Sequence, residues 1–166
     1  PWAARRSSGV ALYSPIDVAI SPDGSAMFVA DFGSALFVAD CDNNKIRRVE
    51  VATGAVTTVA GSGTRGSLDG VGAQFNCPFG VAISPGGSAL FVADWGNHKI
   101  RRVEVATGAV TTMAGSGTVG SADGMGGAAQ FNNPFDVAIS TDGSTLLVCT
   151  SDFLRQVCVS APPPPP

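Results

Sequence analysis

Charge is scarce in this chain: 14% of its 166 residues are Asp, Glu, Lys or Arg, against roughly 25% in an average soluble domain. The two signs nearly balance, with 10 basic and 13 acidic residues and a net charge of −3. Phosphate backbones are held by positive fields, so nucleic acid is not the expected partner. There is one histidine, His98, where a zinc site or a His-based relay normally needs more ligands or a positioned nucleophile. Cysteine is limited to Cys41, Cys77, Cys149 and Cys158, with no CxxC spacing. That excludes a disulfide-dense miniprotein and makes no obvious metal set. No apolar run approaches the roughly 20 residues that cross a bilayer, so no helical membrane span is expected. No hydrophobic signal core follows Arg5 and Arg6, and no initiator Met opens the chain. It reads as a piece of a longer protein.

Glycine and proline are abundant, at 21 and 11 residues, beside 45% hydrophobic residues. Many turn formers between short apolar runs suggest tightly turned β-structure. Internal repetition explains the pattern. Residues 33–63 recur at 87–117 with differences at only four positions. Residues 73–84 (AQFNCPFGVAIS) recur at 129–140 as AQFNNPFDVAIS. A third start of the unit is PIDVAISPDGSAMFVAD at 15–31.

Within one unit, Val81–Ile83, Ala89–Ala93, Ile100–Val105 and Val110–Ala114 are apolar or alternating runs. Ser84-Pro85-Gly86-Gly87, the Asp94–Asn97 region and Thr107-Gly108 separate them as turns. Four short strands joined in this way make an antiparallel meander. Meanders repeated about every 54 residues stack radially as blades of a β-propeller. The expected fold is therefore all-β, an incomplete ring of about two and a half to three four-stranded blades.

These residues resemble the NHL repeat family. The resemblance rests on Pro78-Phe79-Gly80-Val81-Ala82, Phe91-Val92-Ala93-Asp94, Asn97-His98-Lys99-Ile100-Arg101 and Thr107-Gly108, and in the first unit on Asp40, Asn43, Lys45, Ile46 and Arg47. It covers most of 15–159 and implies a propeller, commonly six-bladed, used as a binding platform. The third unit departs from the pattern: Thr150 stands where an Asp is expected, and the Asn-His step is lost. The expected organisation is a lead-in at 1–14, blade 1 at 15–77, blade 2 with its connector at 78–133, a truncated blade 3 at 134–160 and a polyproline linker at 161–166. Further blades elsewhere in the full-length protein, or self-association, are expected to complete the ring.

One anomaly lies in blade 1. GSAMFVADF at 24–32 is followed at once by GSALFVADC at 33–41. A blade needs one such strand. The expectation is that one copy pairs in the blade, the other is an added or poorly packed strand, and deleting 24–32 leaves or raises the melting temperature.

Among candidate site residues, Asp40 and Asp94 recur with the repeat and are expected to accept backbone N–H groups rather than act as acids. Gly54, Gly108, Pro78 and Pro134 are further structural repeat positions. Asp69-Gly70 and Asp123-Gly124 read as turns. Lys45, Arg47 and Arg48, with Lys99, Arg101 and Arg102, are the main basic feature. Alternation sends adjacent arginines to opposite faces, while Glu50 and Glu104 share a face with Arg48 and Arg102. Trp95 reads as an exposed turn residue. Cys149 and Cys158 flank a hairpin and read either as a cross-strand pair or as free thiols.

The reading of function is a non-catalytic scaffold that binds a protein or small ligand through loops on one propeller face. Those loops hold Asp42, Asn43, Asn44, Trp95, Asn97 and His98, with Arg101 beside them, and the connectors 61–72 and 115–128. No catalytic residue, cofactor or metal is assigned. The alternatives are an enzyme of amidating-lyase or lactone-hydrolase type and, third, RNA binding. Compartment is left open.

Overall fold

The computed structural model describes residues 19–20, 27–28 and 35–159. The strands are β1 (Ala19–Ile20), β2 (Met27–Phe28), β3 (Ala35–Asp40), β4 (Lys45–Glu50), β5 (Val56–Ala60), β6 (Pro78–Ile83), β7 (Ala89–Asp94), β8 (Lys99–Glu104), β9 (Val110–Ala114), β10 (Asp136–Ile139), β11 (Thr145–Cys149) and β12 (Leu154–Cys158). All pairings between them are antiparallel. The order β6-β7-β8-β9 is a complete four-stranded blade. The units on either side are three-stranded, β3-β4-β5 and β10-β11-β12, with β1-β2 a separate pair. The fold is an incomplete β-propeller.

Blade 1 differs from the expected four strands because the duplicated segment divides the pairing. In blade 2, β7 serves two neighbours: Ala82↔Phe91 and Ile83↔Leu90 on one side, Ala89↔Glu104 through Asp94↔Lys99 on the other. The first copy pairs with β1 in a separate sheet, Ala19↔Phe28 and Ile20↔Met27, the register that β7 makes with β6. The second copy takes the register that β7 makes with β8, Ala35↔Glu50 through Asp40↔Lys45. The described part of the first copy thus pairs with β1 and the second copy with β4. The rest of the first copy, the lead-in 1–14 and the polyproline tail lie outside the described residues.

The core lies between blades rather than within one. β7 is buried along its whole length because sheets cover both of its faces. Side chains alternate across a strand, so Leu90 and Val92 join one cluster with Phe37, Ile46 and Phe75 of the blade 1 side. Phe91 and Ala93 join another with Phe131, Leu146 and Val148 of the blade 3 side. At about 25 cal/mol per Å² of apolar surface removed from water, these two layers dominate the stability of the stack. Face-to-face covering leaves little perimeter for charges, which accounts for their scarcity.

The blades share an orientation. The turns after β3, β7 and β11, the entries to β6 and β10, and the exits of β5 and β9 all lie at one end, here the turn end. The pairs Pro78↔Asp94, Asp94↔Lys99 and Ile100↔Ala114 place them there. Turns 51–55 and 105–109 lie at the opposite end. Among the described residues no helix is long and apolar enough to cross a membrane.

Candidate functional site: the turn end of the blades

Each residue expected from sequence in the face loops is at the turn end, but most of the polar ones are engaged in joining blades. Asp94, fully buried at the end of β7, accepts the Asn97 side-chain amide at 2.8 Å and the Asn76 backbone N–H at 2.9 Å. Asp40 accepts the Asn43 amide in the same way, at 2.9 Å. Asn44 and His98 both take the left-handed backbone, with φ of 52° and 55°. Each accepts the N–H of the residue that opens the next blade: Cys77 N–H to Asn44 Oδ1 at 2.9 Å, Asn133 N–H to His98 Nδ1 at 3.3 Å. Asn and His therefore perform one latching task in successive units. Tight approach seals it, since a Cβ on Gly61 or Gly115 would come within 2.5 Å of the Asn44 or His98 carbonyl oxygen.

Arg101 corrects the expectation made for it. It is on β8, not in a loop, and its side chain is fully buried. The guanidinium donates to Asp94 Oδ2 at 2.7 Å, Asp69 Oδ1 at 2.6 Å, Leu68 O at 2.9 Å and Gln74 O at 3.2 Å, and lies over the Phe75 ring. Burial and four acceptors remove it from any partner's reach and make it the clamp between connector and blade. For the Asp94 carboxyl, burial is the largest influence and pushes its pKa up, against the Asn97 amide, the Asn76 N–H and Arg101. For Asp69, burial opposes but the Thr112 N–H and Arg101 prevail, and its pKa falls below the ordinary value. Arg102 and Arg48 point the other way and pair with Glu104 and Glu50, as strand alternation requires.

Three residues take roles that the sequence did not reveal. Arg155 repeats Arg101: it donates to Gln130 O, Ala122 O and Asp123 and lies over Phe131. Asp69 and Asp123, read as turn formers, are the carboxylates of these two clamps. The even 54-residue spacing of Arg47, Arg101 and Arg155, matched by that of Asp69 and Asp123, carries the signal in the sequence. The disulfide is also new: Cys41 and Cys77 are bonded, while Cys149 and Cys158 are free thiols. Cys149 is opposite Leu154 and Cys158 opposite Thr145, so strand register holds the last two apart. The bonded pair occupies the positions that Trp95 and Asn133 fill at the next joint.

The apolar side chains at this end are not consumed by the joints. Trp95, half-buried in a short 3-10 turn (Trp95–Asn97), stacks on Phe79 with ring centroids 5.7 Å apart. Phe135 and Phe153 are 42% and 59% exposed at the same end of blade 3. Asp42 is an exposed turn residue.

Curated proteins decide the family. The chain is 36% identical over 97 residues to human NHL repeat-containing protein 2, covering 55% of this chain, and 32% identical over 139 residues to the chicken protein, covering 80%. The chain belongs to the NHL repeat family. It is also 31% identical over 150 residues, 84% of its length, to Protein SUPPRESSOR OF QUENCHING 1, chloroplastic, of Arabidopsis thaliana. It spans only 13% of the Arabidopsis and human relatives and 17% of the chicken one. No protein-family model matches the chain. Among solved structures it is similar in fold to a protein of unknown function from Bacteroides thetaiotaomicron, with a TM-score of 0.61 and 21% identity over 69% of this chain and 29% of that one. An auxiliary nutrient binding protein from Bacteroides ovatus gives a TM-score of 0.59 with 22% identity over 79% of this chain and 33% of that one.

Proposed function

We propose that these NHL blades are a non-catalytic binding module whose contact surface is the turn end, with aromatic side chains as its anchors. One observation supports this reading above the others. The polar loop residues are turned inward to hold the blades, while Phe135 and Phe153 are left exposed and Trp95 half-buried. Exposed aromatics on a rigid frame suit partner contact, because they bring large apolar area with little ordering cost. The Bacteroides relatives described as nutrient-binding proteins share the fold and agree with a ligand-holding role. The single histidine, His98, uses its Nδ1 to accept the Asn133 N–H and so serves the joint between blades.

The test compares three immobilised chains in an extract of the source cells: the wild type, a turn-end variant (W95S/F135S/F153S) and an opposite-end variant (V51S/T107A). The reading expects a captured partner to be lost from the turn-end variant alone. Equal retention by all three, with each folded by circular dichroism, would contradict it.

A further inference from the structure

The joint between blades 1 and 2 carries a covalent bond that the joint between blades 2 and 3 does without. Both joints use the same latch: Asn44 accepts the Cys77 N–H at 2.9 Å and His98 accepts the Asn133 N–H at 3.3 Å. Gly61 and Gly115 close against the two latch carbonyls in the same way. The first joint adds the Cys41–Cys77 disulfide, where the second has Trp95 and Asn133 at the counterpart positions. A joint of this kind therefore forms without the bond.

Cys77 is an unusual residue for its place. Among the described residues, the non-glycine residues with a positive φ are Asn44, His98, Asn133 and Cys77, at 52°, 55°, 48° and 52°. Asparagine and histidine enter the left-handed region several-fold more readily than most side chains, and cysteine has no such preference. The disulfide thus holds Cys77 in a conformation that its counterpart Asn133 takes unaided. The flanking residues carry that conformation to the turn end. Asn76 donates its N–H to Asp94 Oδ1 at 2.9 Å and its amide to the Gly96 carbonyl at 2.8 Å, and accepts the Gly96 N–H at 2.9 Å. Phe79, two residues beyond Cys77, stacks on Trp95. The 3-10 turn Trp95–Asn97 is therefore supported from both sides of Cys77.

We infer that the Cys41–Cys77 bond is a reversible thiol–disulfide control on the Trp95 turn, opened by a dithiol and closed again by a disulfide. Cys77 is half-buried and Cys41 buried, so a thiolate of the dithiol attacks Cys77 Sγ. The Cys41–Cys77 bond breaks, its electron pair leaves on Cys41 Sγ, and that sulfur takes up a proton. The second thiol of the reagent, as thiolate, then attacks the reagent sulfur in the mixed disulfide. Cys77 Sγ leaves with the electron pair and is protonated, and the reagent ends as its own disulfide. In sum, two electrons and two protons pass from the dithiol to the cysteine pair. Once free, Cys77 relaxes out of the left-handed region. Asn76 and Phe79 move with it, and the turn they support loosens. The second joint has no thiol at these positions and stays as it is. The inference stands whatever the turn end binds.

The test uses the full chain with Trp2→Phe, which leaves Trp95 as its one tryptophan. Acrylamide quenching of Trp95 and hydrogen exchange of the Gly96 amide are read well below the melting temperature of the reduced chain. Three states are compared: oxidised, reduced by dithiothreitol, and reoxidised with glutathione disulfide. Reduction is expected to raise the quenching and to speed Gly96 exchange by about tenfold or more, with the Asn133 amide of the second joint unchanged. Reoxidation is expected to reverse both changes. C41S/C77S is expected to match the reduced chain and to ignore dithiothreitol. C41S/C77N, which takes the asparagine of the second joint, is expected to return to slow Gly96 exchange without any bond. Three results overturn the inference: an unchanged Trp95 and Gly96 after confirmed reduction, failure of dithiothreitol to reduce the folded chain, or acceleration of Gly96 and Asn133 together, as in general unfolding. So does a C41S/C77N chain that exchanges as fast as C41S/C77S.

Discussion

Arg101 and Asp94 form a fully buried pair, Nη1 to Oδ2 at 2.7 Å, at the point where the connector from blade 1 crosses blade 2. The counterpart of Arg101 in blade 3, Arg155, has Thr150 in place of that aspartate, and among the described residues its carboxylate partner is the exposed Asp123. The same clamp is thus present twice with different electrostatic weight.

Removing one partner of a buried ion pair strands the other charge, which costs about 3–5 kcal/mol. Arg101→Met is therefore expected to lower unfolding free energy by about that amount in urea titration. Arg155→Met gives up an ion pair whose acid is in water, worth about 1 kcal/mol or less. Equal losses in the two variants would show that the clamps are not distinguished by burial.

Gly61 and Gly115 have φ of 98° and 106°, and a side chain there would run into the latch carbonyls. Each Gly→Ala change combines backbone strain with a displaced joint and is expected to cost well over 1 kcal/mol. Gly86 has open space around it and no positive φ, so Gly86→Ala is expected to be neutral or slightly stabilising. Thermal melts of the three variants order them.

The Cys41–Cys77 bond spans 36 residues, for which the chain-entropy estimate is about 4 kcal/mol as an upper figure. Reduction by dithiothreitol, or C41S/C77S, is expected to lower the melting temperature clearly. C149S/C158S removes two free thiols and is expected to leave it nearly unchanged. Mass spectrometry after alkylation of the native chain should label Cys158 and spare Cys41 and Cys77.

Asp142 accepts the Ser140 hydroxyl and the Ser144 N–H and hydroxyl, which hold its carboxyl down to about 2. A depressed folded pKa stabilises the native state above the ordinary carboxyl value and loses that contribution as pH falls through about 2. Carbon-detected NMR titration is expected to place the Asp142 midpoint near 2, with Ser140→Ala and Ser144→Ala each moving it upward.

The strands, their order and the blade repeat were legible because alternation and turn residues are local signals and the unit is nearly duplicated. The roles of Asp69, Asp123 and Arg155 were not, because each gains its meaning from a contact between segments some 32 residues apart. Arg101 was misplaced for a related reason: its neighbours Asn97 and His98 are in a turn, but strand register turns its own side chain inward. Cys41 and Cys77 left a faint trace, as two positions where one copy departs from the other, and only the joint between blades shows that the departures touch. The exposure of Phe135 and Phe153 depends on what the adjoining segments cover, which no local pattern encodes.

Site-specific photo-crosslinking tests the central claim most directly. Benzoylphenylalanine placed at Phe135 or Phe153 reports on the turn end, and at Val51 on the opposite end. Mass spectrometry of adducts formed in an extract of the source cells is expected to show one shared partner crosslinked from Phe135 and Phe153 and absent from Val51. Adducts from Val51 alone, or the same adducts from both ends, would contradict a binding surface at the turn end.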